Sequence, residues 1–326
     1  MRVPRRFAAA AGLLALALAG CGADTGTAVD ASDASPITMG FSQVGAESEW
    51  RVANTRSVQE AAAAAGIELV FSDAQQDQDR QIEAIRSFIA KGVDVIAFSP
   101  VVETGWDPVL REARRAGIPV ILTDRAIRTA DPGLYRTFLG SDFLEEGNKA
   151  GTWLDDRHIR AEEPVSIVEI QGTVGSAPAI ERQLAFAEAI SSNPQLKIVA
   201  STSGDFTRAG GRAVMEDFLA DLPDIDVLYA HNDDMGLGAI EAIEAAGKVP
   251  GRDIEIISVD GVREGLQALI DGKINYIVEC NPLIGEQLME LAVKIVAGEQ
   301  VLSRVVTKET VFERSAALAA LPDRRY

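Results

Sequence analysis

The chain has 326 residues, with 49 acidic and 31 basic side chains and a formal net charge of −18 at pH 7. A surface this acidic repels nucleic acid and anionic membranes, and no basic patch offsets it, which excludes a nucleic-acid-binding protein. The length exceeds the usual size of a single hydrophobic core and indicates two domains. The two histidines and two cysteines show no clustered metal-ligand spacing, so we expect neither a metal nor a cofactor.

Residues 1–20 have the pattern of an export signal. Three arginines precede an Ala/Leu-rich run of about a dozen residues, which is too short to span a bilayer of roughly 30 Å. A cleaved signal peptide is therefore predicted rather than a membrane helix. The sequence Leu-Ala-Gly-Cys that ends at Cys21 resembles the lipobox of bacterial lipoproteins, which implies cleavage before Cys21 and diacylation of its sulfur. An ordinary signal peptide followed by an incidental cysteine is the alternative.

Residues 21–35 are small and polar and have no apolar period, as is typical of a flexible tether. We therefore expect an exported protein, in the periplasm or at the cell surface, that is held to the membrane through a lipid on Cys21. With Cys21 acylated, Cys280 has no partner, so no disulfide is expected to support the fold.

From residue 37 onward, short apolar runs alternate with amphipathic helical patterns. The strand-like runs are residues 37–41, 67–71, 93–98, 119–122, 165–170, 198–201, 227–230, 254–259 and 274–278. The helical patterns include residues 50–65, 80–91, 109–116, 148–157, 179–191, 208–220 and 235–246. This alternation is typical of βαβ units with parallel strands buried on both faces. About ten such strands are too many for one ordinary open sheet, so we predict an α/β fold with two doubly wound parallel-sheet lobes.

Several of the helical patterns end at a glycine. Gly66, Gly92, Gly117 and Gly247 each follow the last apolar position of a pattern. A helix commonly ends with a residue in the left-handed conformation, which glycine adopts without steric cost. We expect these glycines to terminate their helices in that way.

Polar and aromatic side chains collect just after the apolar runs, where open α/β sheets bind their ligands. The candidate binding residues are Glu47, Trp50, Arg51, Asp124, Arg125, Arg182, Phe206, Asn232, Asp260 and Glu279. Carboxylates accept hydrogen bonds from hydroxyl groups, guanidinium groups donate to them, and an amide does both. Aromatic faces cover the apolar C–H face of a sugar ring. This set of residue types favours the binding of a sugar, without a nucleophile or a metal.

Three short segments that contain candidate residues resemble recurring segments of a known family, the periplasmic sugar-binding proteins of ABC importers of the ribose/galactose type. The segments are Thr123-Asp124-Arg125, His231-Asn232-Asp233-Asp234-Met235 and Ser258-Val259-Asp260-Gly261. The similarity runs from about residue 37 to beyond residue 300. It is greatest to the galactofuranose-binding branch, through the segments 40–51, 100–106, 169–175 and 203–208.

The resemblance implies a role for each aromatic residue and for three charged residues. Trp50 and Phe206 are expected to stack on opposite faces of a sugar ring. Glu47 and Arg51 are expected to reach its exocyclic part, which distinguishes galactofuranose from ribose. Glu279 is expected near the hinge, in a segment where the match to the family is loose.

The remaining candidates are expected, by the same resemblance, to bind the ring hydroxyls. Asp124 and Arg125 are expected to bind adjacent hydroxyls from the first lobe. Arg182 is expected to donate from the second lobe, and Asn232 and Asp260 to bind the hydroxyls that are left. A galactofuranose-like furanose is favoured; ribose, arabinose or another small polyol is the alternative.

The family also implies a type I fold, in which a hinge of several crossovers joins the lobes. The first lobe is then expected to comprise residues 36–138 and 280–308, and the second residues 139–279 and 309–326. Crossovers are expected near Leu139, Glu279 and Lys308. The lobes close over the sugar, and the closed form of a monomeric protein docks on a membrane permease. A sugar sensor for a membrane receptor is the alternative partner arrangement.

Catalysis is not expected. The sequence shows neither a Ser-His-Asp nor a Cys-His pattern. The adjacent carboxylates Asp233 and Asp234 are poorly placed for a glycosidase pair. Asp233, like Asp205, could instead cap the helix that follows it. A transcriptional regulator of the same fold needs a basic helix-turn-helix before residue 37, where the sequence has a signal peptide and an acidic tether.

Overall fold

Two six-stranded sheets organise the computed structural model, which describes residues 36–326. The first sheet contains β1 (Thr38–Gln43), β2 (Glu68–Asp73), β3 (Val95–Phe98), β4 (Val120–Thr123), β5 (Thr137–Gly140) and β11 (Arg304–Val306). The second contains β6 (Val165–Gln171), β7 (Leu196–Ser203), β8 (Val227–Ala230), β9 (Glu255–Asp260), β10 (Tyr276–Glu279) and β12 (Val311–Phe312). The predicted signal peptide and the tether with Cys21 lie outside the described residues.

The two sheets have equivalent topology. Their strand orders are β11-β5-β4-β3-β1-β2 and β12-β10-β9-β8-β6-β7, and only β12 pairs in the antiparallel sense. Both are doubly wound sheets whose strand order reverses beside the first strand, which places a crevice at the carboxyl ends of the strands. We call the parts built around the first and second sheets the first and second lobes. The predicted fold class is confirmed.

Ten α-helices cover the faces of the two sheets within the described residues. They are α1 (Glu49–Ala65), α2 (Gln78–Lys91), α3 (Asp107–Arg115), α4 (Phe143–Arg157), α5 (Ala177–Ile190), α6 (Arg208–Asp221), α7 (Asp233–Ala245), α8 (Arg263–Ile270), α9 (Gly285–Val296) and α10 (Arg314–Ala320). The central strands β3, β4 and β8 are buried along their whole length, as parallel strands covered on both faces must be. From Pro36 to the last residue, no helix combines the length and the apolar character needed to cross a membrane.

Helix ends follow the local sequence. Gly66, Gly92, Gly117 and Gly247 all have positive φ, between 66° and 75°, so the predicted left-handed terminations are confirmed. Helix α4 begins at Phe143, five residues before the predicted pattern, because the Asp142 side chain accepts from the backbone N–H of Glu145 at 3.2 Å.

The caps of α6 and α7 differ from the expectation. Thr207, and not Asp205, accepts from the backbone N–H of Gly210 at the start of α6. Asn232, and not Asp233, caps α7. In both helices the cap is the residue with extended backbone immediately before the first helical turn, and its side chain reaches the third residue along the chain.

The chain crosses between the sheets after β5, after β10 and again after β11. Glu309 joins the three crossovers: its Oε1 accepts from the Ser141 hydroxyl, from the Asn281 backbone N–H at 2.9 Å and from the Thr307 hydroxyl at 2.9 Å. One carboxylate therefore ties together the segments about which the lobes can move.

Asp233 fixes the loop between β9 and α8. Its carboxylate accepts from the backbone N–H groups of Gly261 and Val262, each at 2.8 Å, and from the Ser258 hydroxyl. The side chain is fully buried inside the second lobe. Its role is therefore structural, and it belongs to the second lobe alone.

We expect Asp233→Ala to lower the free energy of unfolding by about 3 kcal/mol, because it leaves two buried backbone N–H groups without an acceptor. Urea denaturation followed by circular dichroism measures the loss. Asp221→Ala, at an exposed site on α6, is the matched control and should stay within about 0.5 kcal/mol of the unsubstituted protein. A loss below about 1 kcal/mol for Asp233→Ala would contradict this role.

Candidate functional site

A pocket with a cavity volume of about 30 Å³ lies between the carboxyl ends of the two sheets. It is lined by Glu47, Ser48, Trp50, Arg51, Asp124, Arg125, Phe143, Pro178, Arg182, Phe206, Asn232, Asp260 and Cys280. Every candidate residue from the sequence is present except Glu279. Both lobes contribute, and a volume of about 30 Å³ lies well below the range of about 300–1,000 Å³ for small-molecule sites, so a larger ligand can enter only when the lobes move apart.

Three of the lining residues are held in an unusual backbone conformation. Asp124 has φ of 59°, Phe206 of 61° and Asp260 of 119°, in the region that favours glycine. Such residues cost roughly 1–3 kcal/mol each and persist where the surrounding structure imposes them, which is most often at functional sites. The turn at each strand end thus directs a side chain into the pocket.

Arg51 is held by two carboxylates of the first lobe. Its Nη2 lies 2.7 Å from Asp124 Oδ2, and its Nε lies 3.0 Å from Glu47 Oε1. Burial opposes the charge of the guanidinium, but Asp124 and Glu47 outweigh it and raise the pKa of Arg51 above its usual value. The Ser99 hydroxyl donates to the same Asp124 oxygen at 3.0 Å, which fixes that carboxylate.

Arg125 is buried with fewer partners. Its Nη1 donates to the Val101 carbonyl at 3.2 Å, and its guanidinium lies 5.2 Å from the centre of the Phe206 ring. Burial, followed by the positive charge of Arg51, lowers the pKa of Arg125 to about 10. The group stays protonated at neutral pH and has bonding capacity to spare.

Arg182 reaches the pocket from the second lobe. Its Nε donates to Glu146 Oε2 at 2.7 Å, and its Nη1 donates to the His231 carbonyl at 2.6 Å. Burial raises the pKa of Glu146 to about 8, although Arg182 works against that shift. Glu146 and His231 therefore orient Arg182, a pairing across α4 and α5 that no sequence spacing indicates.

The two aromatic candidates are fixed in orientation. The Trp50 indole N–H donates to the Cys280 carbonyl at 2.7 Å. The Phe206 ring lies against Gly172, where an added β-carbon would overlap it. Phe143 and Pro178, at the starts of α4 and α5, complete the apolar part of the lining and were not identified from the sequence.

Asn232 and Asp260 differ in how much bonding capacity they have left. The Asn232 side chain accepts from the Met235 backbone N–H at 3.0 Å and donates to the Phe206 carbonyl at 3.1 Å. Asp260 is buried, and its Oδ2 has no partner among the described residues. Burial, and then the charge of Asp233, raise the pKa of Asp260 well above its usual value.

Glu279 is placed elsewhere. Its Oε1 accepts from Arg324 Nη1 at 2.6 Å and from the Tyr326 hydroxyl at 3.1 Å, outside the pocket. Successive side chains of an extended strand point to opposite sides, so the neighbour Cys280 faces the pocket instead. At the end of β10 it is therefore Cys280, and not Glu279, that lines the pocket in this structure.

Three buried polar atoms of the lining have no hydrogen-bond partner among the described residues. They are Glu47 Oε2, Arg125 Nε and Asp260 Oδ2. Buried polar atoms are nearly always paired, so each such atom needs an explanation. Two carboxylate oxygens and one N–H around a small space match a ligand that carries several hydroxyl groups.

Comparison with known proteins agrees with this geometry. Residues 39–300 match the family described as periplasmic binding protein domain. The chain is 49% identical over 252 residues to the galactofuranose-binding protein YtfQ of Escherichia coli, which covers 76% of this chain and 79% of that protein.

Two solved structures are similar over almost the whole described part. One is a structure from Mycobacterium smegmatis in complex with β-D-fucofuranose: 62% identity, a TM-score of 0.88, and coverage of 89% of this chain and 95% of that one. The other is the periplasmic binding protein component of the arabinose ABC transporter from Shewanella sp. ANA-3, bound to α- and β-L-arabinofuranose. It is 46% identical with a TM-score of 0.84, and the match covers 88% of this chain and 95% of that one.

We expect Gly172→Ala to destabilise the sugar-free protein by about 1–3 kcal/mol, because the new methyl group overlaps the Phe206 ring. In a Phe206→Ala background the same substitution should cost little, since the overlapping ring is gone. Denaturant unfolding of the two single variants and the double variant measures this coupling. An equal cost of Gly172→Ala in both backgrounds would show that the ring does not press on Gly172.

Proposed function

The chain belongs to the periplasmic binding protein domain family, and we propose that it is the substrate-binding component of a sugar importer whose ligand is a monosaccharide in its furanose form. The observation that carries the proposal is the set of three unpartnered polar atoms, Glu47 Oε2, Arg125 Nε and Asp260 Oδ2, around a small pocket. Ring hydroxyls supply the missing partners, while Trp50 and Phe206 provide apolar faces for the ring.

The topology supports capture by closure of the lobes. The pocket takes Glu47, Asp124 and Arg125 from the first lobe and Arg182 and Asp260 from the second. Because the chain passes between the lobes at the crossovers, a hinge motion there separates the two halves of the site and admits the sugar. The closed form then presents both lobes to a membrane permease.

The furanose assignment is supported by the similar proteins, whose names or bound ligands are galactofuranose, fucofuranose and arabinofuranose. It is also supported by the Arg51–Glu47 pair at 3.0 Å, which leaves Glu47 Oε2 unpartnered at one end of the pocket. We assign this oxygen to a hydroxyl on the exocyclic arm of the sugar.

The remaining parts of the proposal concern location and chemistry. We propose that the protein is exported, is anchored by a lipid on Cys21 and acts as a monomer with the permease as its partner. The role requires binding and release only, so no lining residue is assigned a catalytic step. Glu279 is assigned to the fold, through Arg324, and not to the ligand.

Calorimetric titration of the purified protein with D-galactose, L-arabinose, D-ribose, D-glucose and myo-inositol tests the proposal. We expect D-galactose and L-arabinose to bind with apparent affinities that rise with the small fraction of each sugar present as a furanose. A micromolar dissociation constant corresponds to about −8 kcal/mol, which several charge-assisted hydrogen bonds can supply. If D-glucose or myo-inositol binds more tightly than D-galactose and L-arabinose, the furanose assignment is contradicted. If no sugar binds, the proposed sugar-binding function is contradicted.

Arg125→Met should weaken sugar binding by about 10- to 150-fold, since a hydrogen bond to a charged group contributes roughly 1.5–3 kcal/mol. The melting temperature of the sugar-free protein should stay nearly unchanged, because the cost of burying the Arg125 charge offsets its hydrogen bond to Val101 and its ion pairs with Glu47 at 3.6 Å and Asp124 at 3.8 Å, and methionine fills a similar volume. Calorimetry and thermal unfolding measure the two effects. Arg111→Met, on the exposed surface of α3, is the matched control; normal sugar binding by Arg125→Met would remove Arg125 from the site.

A further inference from the structure

The adjacent carboxylates Asp233 and Asp234 have separate environments. Asp233 is bonded within the second lobe, to the loop after β9. Asp234 does not line the sugar pocket. Its side chain extends from the start of α7 to the first lobe, where it lines a neighbouring crevice with Glu49 and Arg56. The sugar-binding function leaves this carboxylate unassigned.

Asp234 makes a hydrogen bond between the lobes. Its Oδ2 accepts from the backbone N–H of Glu49, the first residue of α1, at 3.0 Å. The first N–H groups of a helix lack partners within the helix, and an oxygen of a carboxyl group, ionised or protonated, can accept from one of them. The cap residue of α1, Ser48, accepts from Arg51 and not from Glu49. The second lobe therefore supplies the acceptor that the helix itself does not.

The position of this contact couples it to the sugar site. Trp50 and Arg51 follow Glu49 directly in α1, and Ser48 precedes it; all three line the sugar pocket. On the second lobe, Asn232 lies two residues before Asp234 and lines the same pocket. A hydrogen bond from Glu49 to Asp234 thus joins the two lobes beside the bound ligand.

We propose that Asp234 is a positioning residue, which holds the lobes closed over the sugar by capping α1 and makes sugar affinity depend on pH. This inference rests on the proposed sugar-binding function. Other contacts between the lobes do not involve Asp234. The Glu103 backbone N–H donates to the Gly175 carbonyl at 2.9 Å, and Arg56 Nη2 donates to the Arg325 carbonyl at 3.1 Å.

The charged and titratable groups around Asp234 come from every element next to it. They are Glu49 and Arg56 of α1, Arg208 of α6, Asp233 of α7, Arg263 and Glu264 of α8, and Arg324, Arg325 and Tyr326 of the C-terminal segment. Burial is the main cause that raises the pKa of Asp234, to about 7, and the charges of Glu49 and Asp233 add to it. The hydrogen bond from Glu49 and the charge of Arg208 act in the opposite direction.

The direction of the pH effect follows from this shift. Opening the lobes withdraws α1 and returns the carboxyl to water, where its pKa is near the ordinary value of about 4. Closing therefore takes up a proton between about pH 4 and pH 7. The contribution of Asp234 to affinity is largest on the acid side, falls as the pH rises toward 7, and is constant above that.

Two substitutions separate the cap from the titration. Asp234→Asn keeps an oxygen that can accept from Glu49 but cannot titrate, whereas Asp234→Ala removes the acceptor. Asp221→Asn, on the exposed end of α6, is the control. Asp233, Asp260, Glu146 and Glu309 are present in every variant, so the difference between variants reports the titration of Asp234 together with the effect of its charge on Asp260.

D-Galactose binding is measured by calorimetry at about pH 5.5, 6.5 and 7.5, on both sides of the pKa of about 7 that Asp234 has in the closed form. We expect the affinity of the unsubstituted protein and of Asp221→Asn to fall at least about threefold more over this range than that of Asp234→Asn. Asp234→Ala should bind about tenfold more weakly than Asp234→Asn at every pH. The same pH profile in Asp234→Asn and the unsubstituted protein, or unchanged affinity in Asp234→Ala, would overturn the proposal.

A readout without sugar keeps the two proposals distinguishable. Spin labels on Asp79→Cys in α2 and Asp217→Cys in α6, both exposed, report the distance between the lobes. The closed fraction of the sugar-free protein should decrease between about pH 5.5 and about pH 7.5, which bracket about pH 7, and Asp234→Asn should reduce this change. If no sugar binds, the proposed function fails while this experiment still decides the role of Asp234; a closed fraction with the same pH dependence in both proteins overturns it.

Discussion

The structure depends on keeping three guanidinium groups charged inside one small pocket. Arg51, Arg125 and Arg182 are each no more than 3% exposed. An unpaired buried charge costs several kcal/mol, so each needs carboxylate or carbonyl partners held in place. Arg51 and Arg182 have such partners, in Asp124 and Glu146. Arg125 Nε has no hydrogen-bond partner within residues 36–326, and we propose that a ligand completes its pairing.

The repeated topology explains how residues far apart in the chain meet there. Each doubly wound sheet ends its strands toward the same crevice, and the pocket between the two sheets takes residues from both. Asp124 and Asp260 lie at the ends of β4 and β9, which occupy equivalent places in the two sheets, and both have positive φ. A residue with a strained backbone at a strand end therefore presents a carboxylate to the pocket from each lobe.

Much of the fold could be predicted because local signals were strong. Buried parallel strands are continuous apolar runs, and glycines mark the helix ends. The strands β11 and β12 were not predicted because they have three and two residues and lie at sheet edges, where the apolar pattern is weak. The strand β5 was not predicted because only Phe138 and Leu139 of its four residues are apolar. Most residues that line the pocket were identified because they follow predicted strands in the sequence. Glu279 lies outside the pocket because successive side chains of β10 point to opposite sides, and the sequence does not fix which of them faces the pocket. Glu146 and Phe143 were not identified because only packing brings α4 to the pocket.

The central claim is that the unpartnered polar atoms of the pocket are the sugar-binding atoms, and a crystal structure of the protein grown with D-galactose tests it most directly. We predict a five-membered sugar ring between Trp50 and Phe206. Its hydroxyls should lie within hydrogen-bond distance of Glu47 Oε2, Arg125 Nε and Asp260 Oδ2. A six-membered ring, or a sugar that leaves these three atoms without partners, would contradict it.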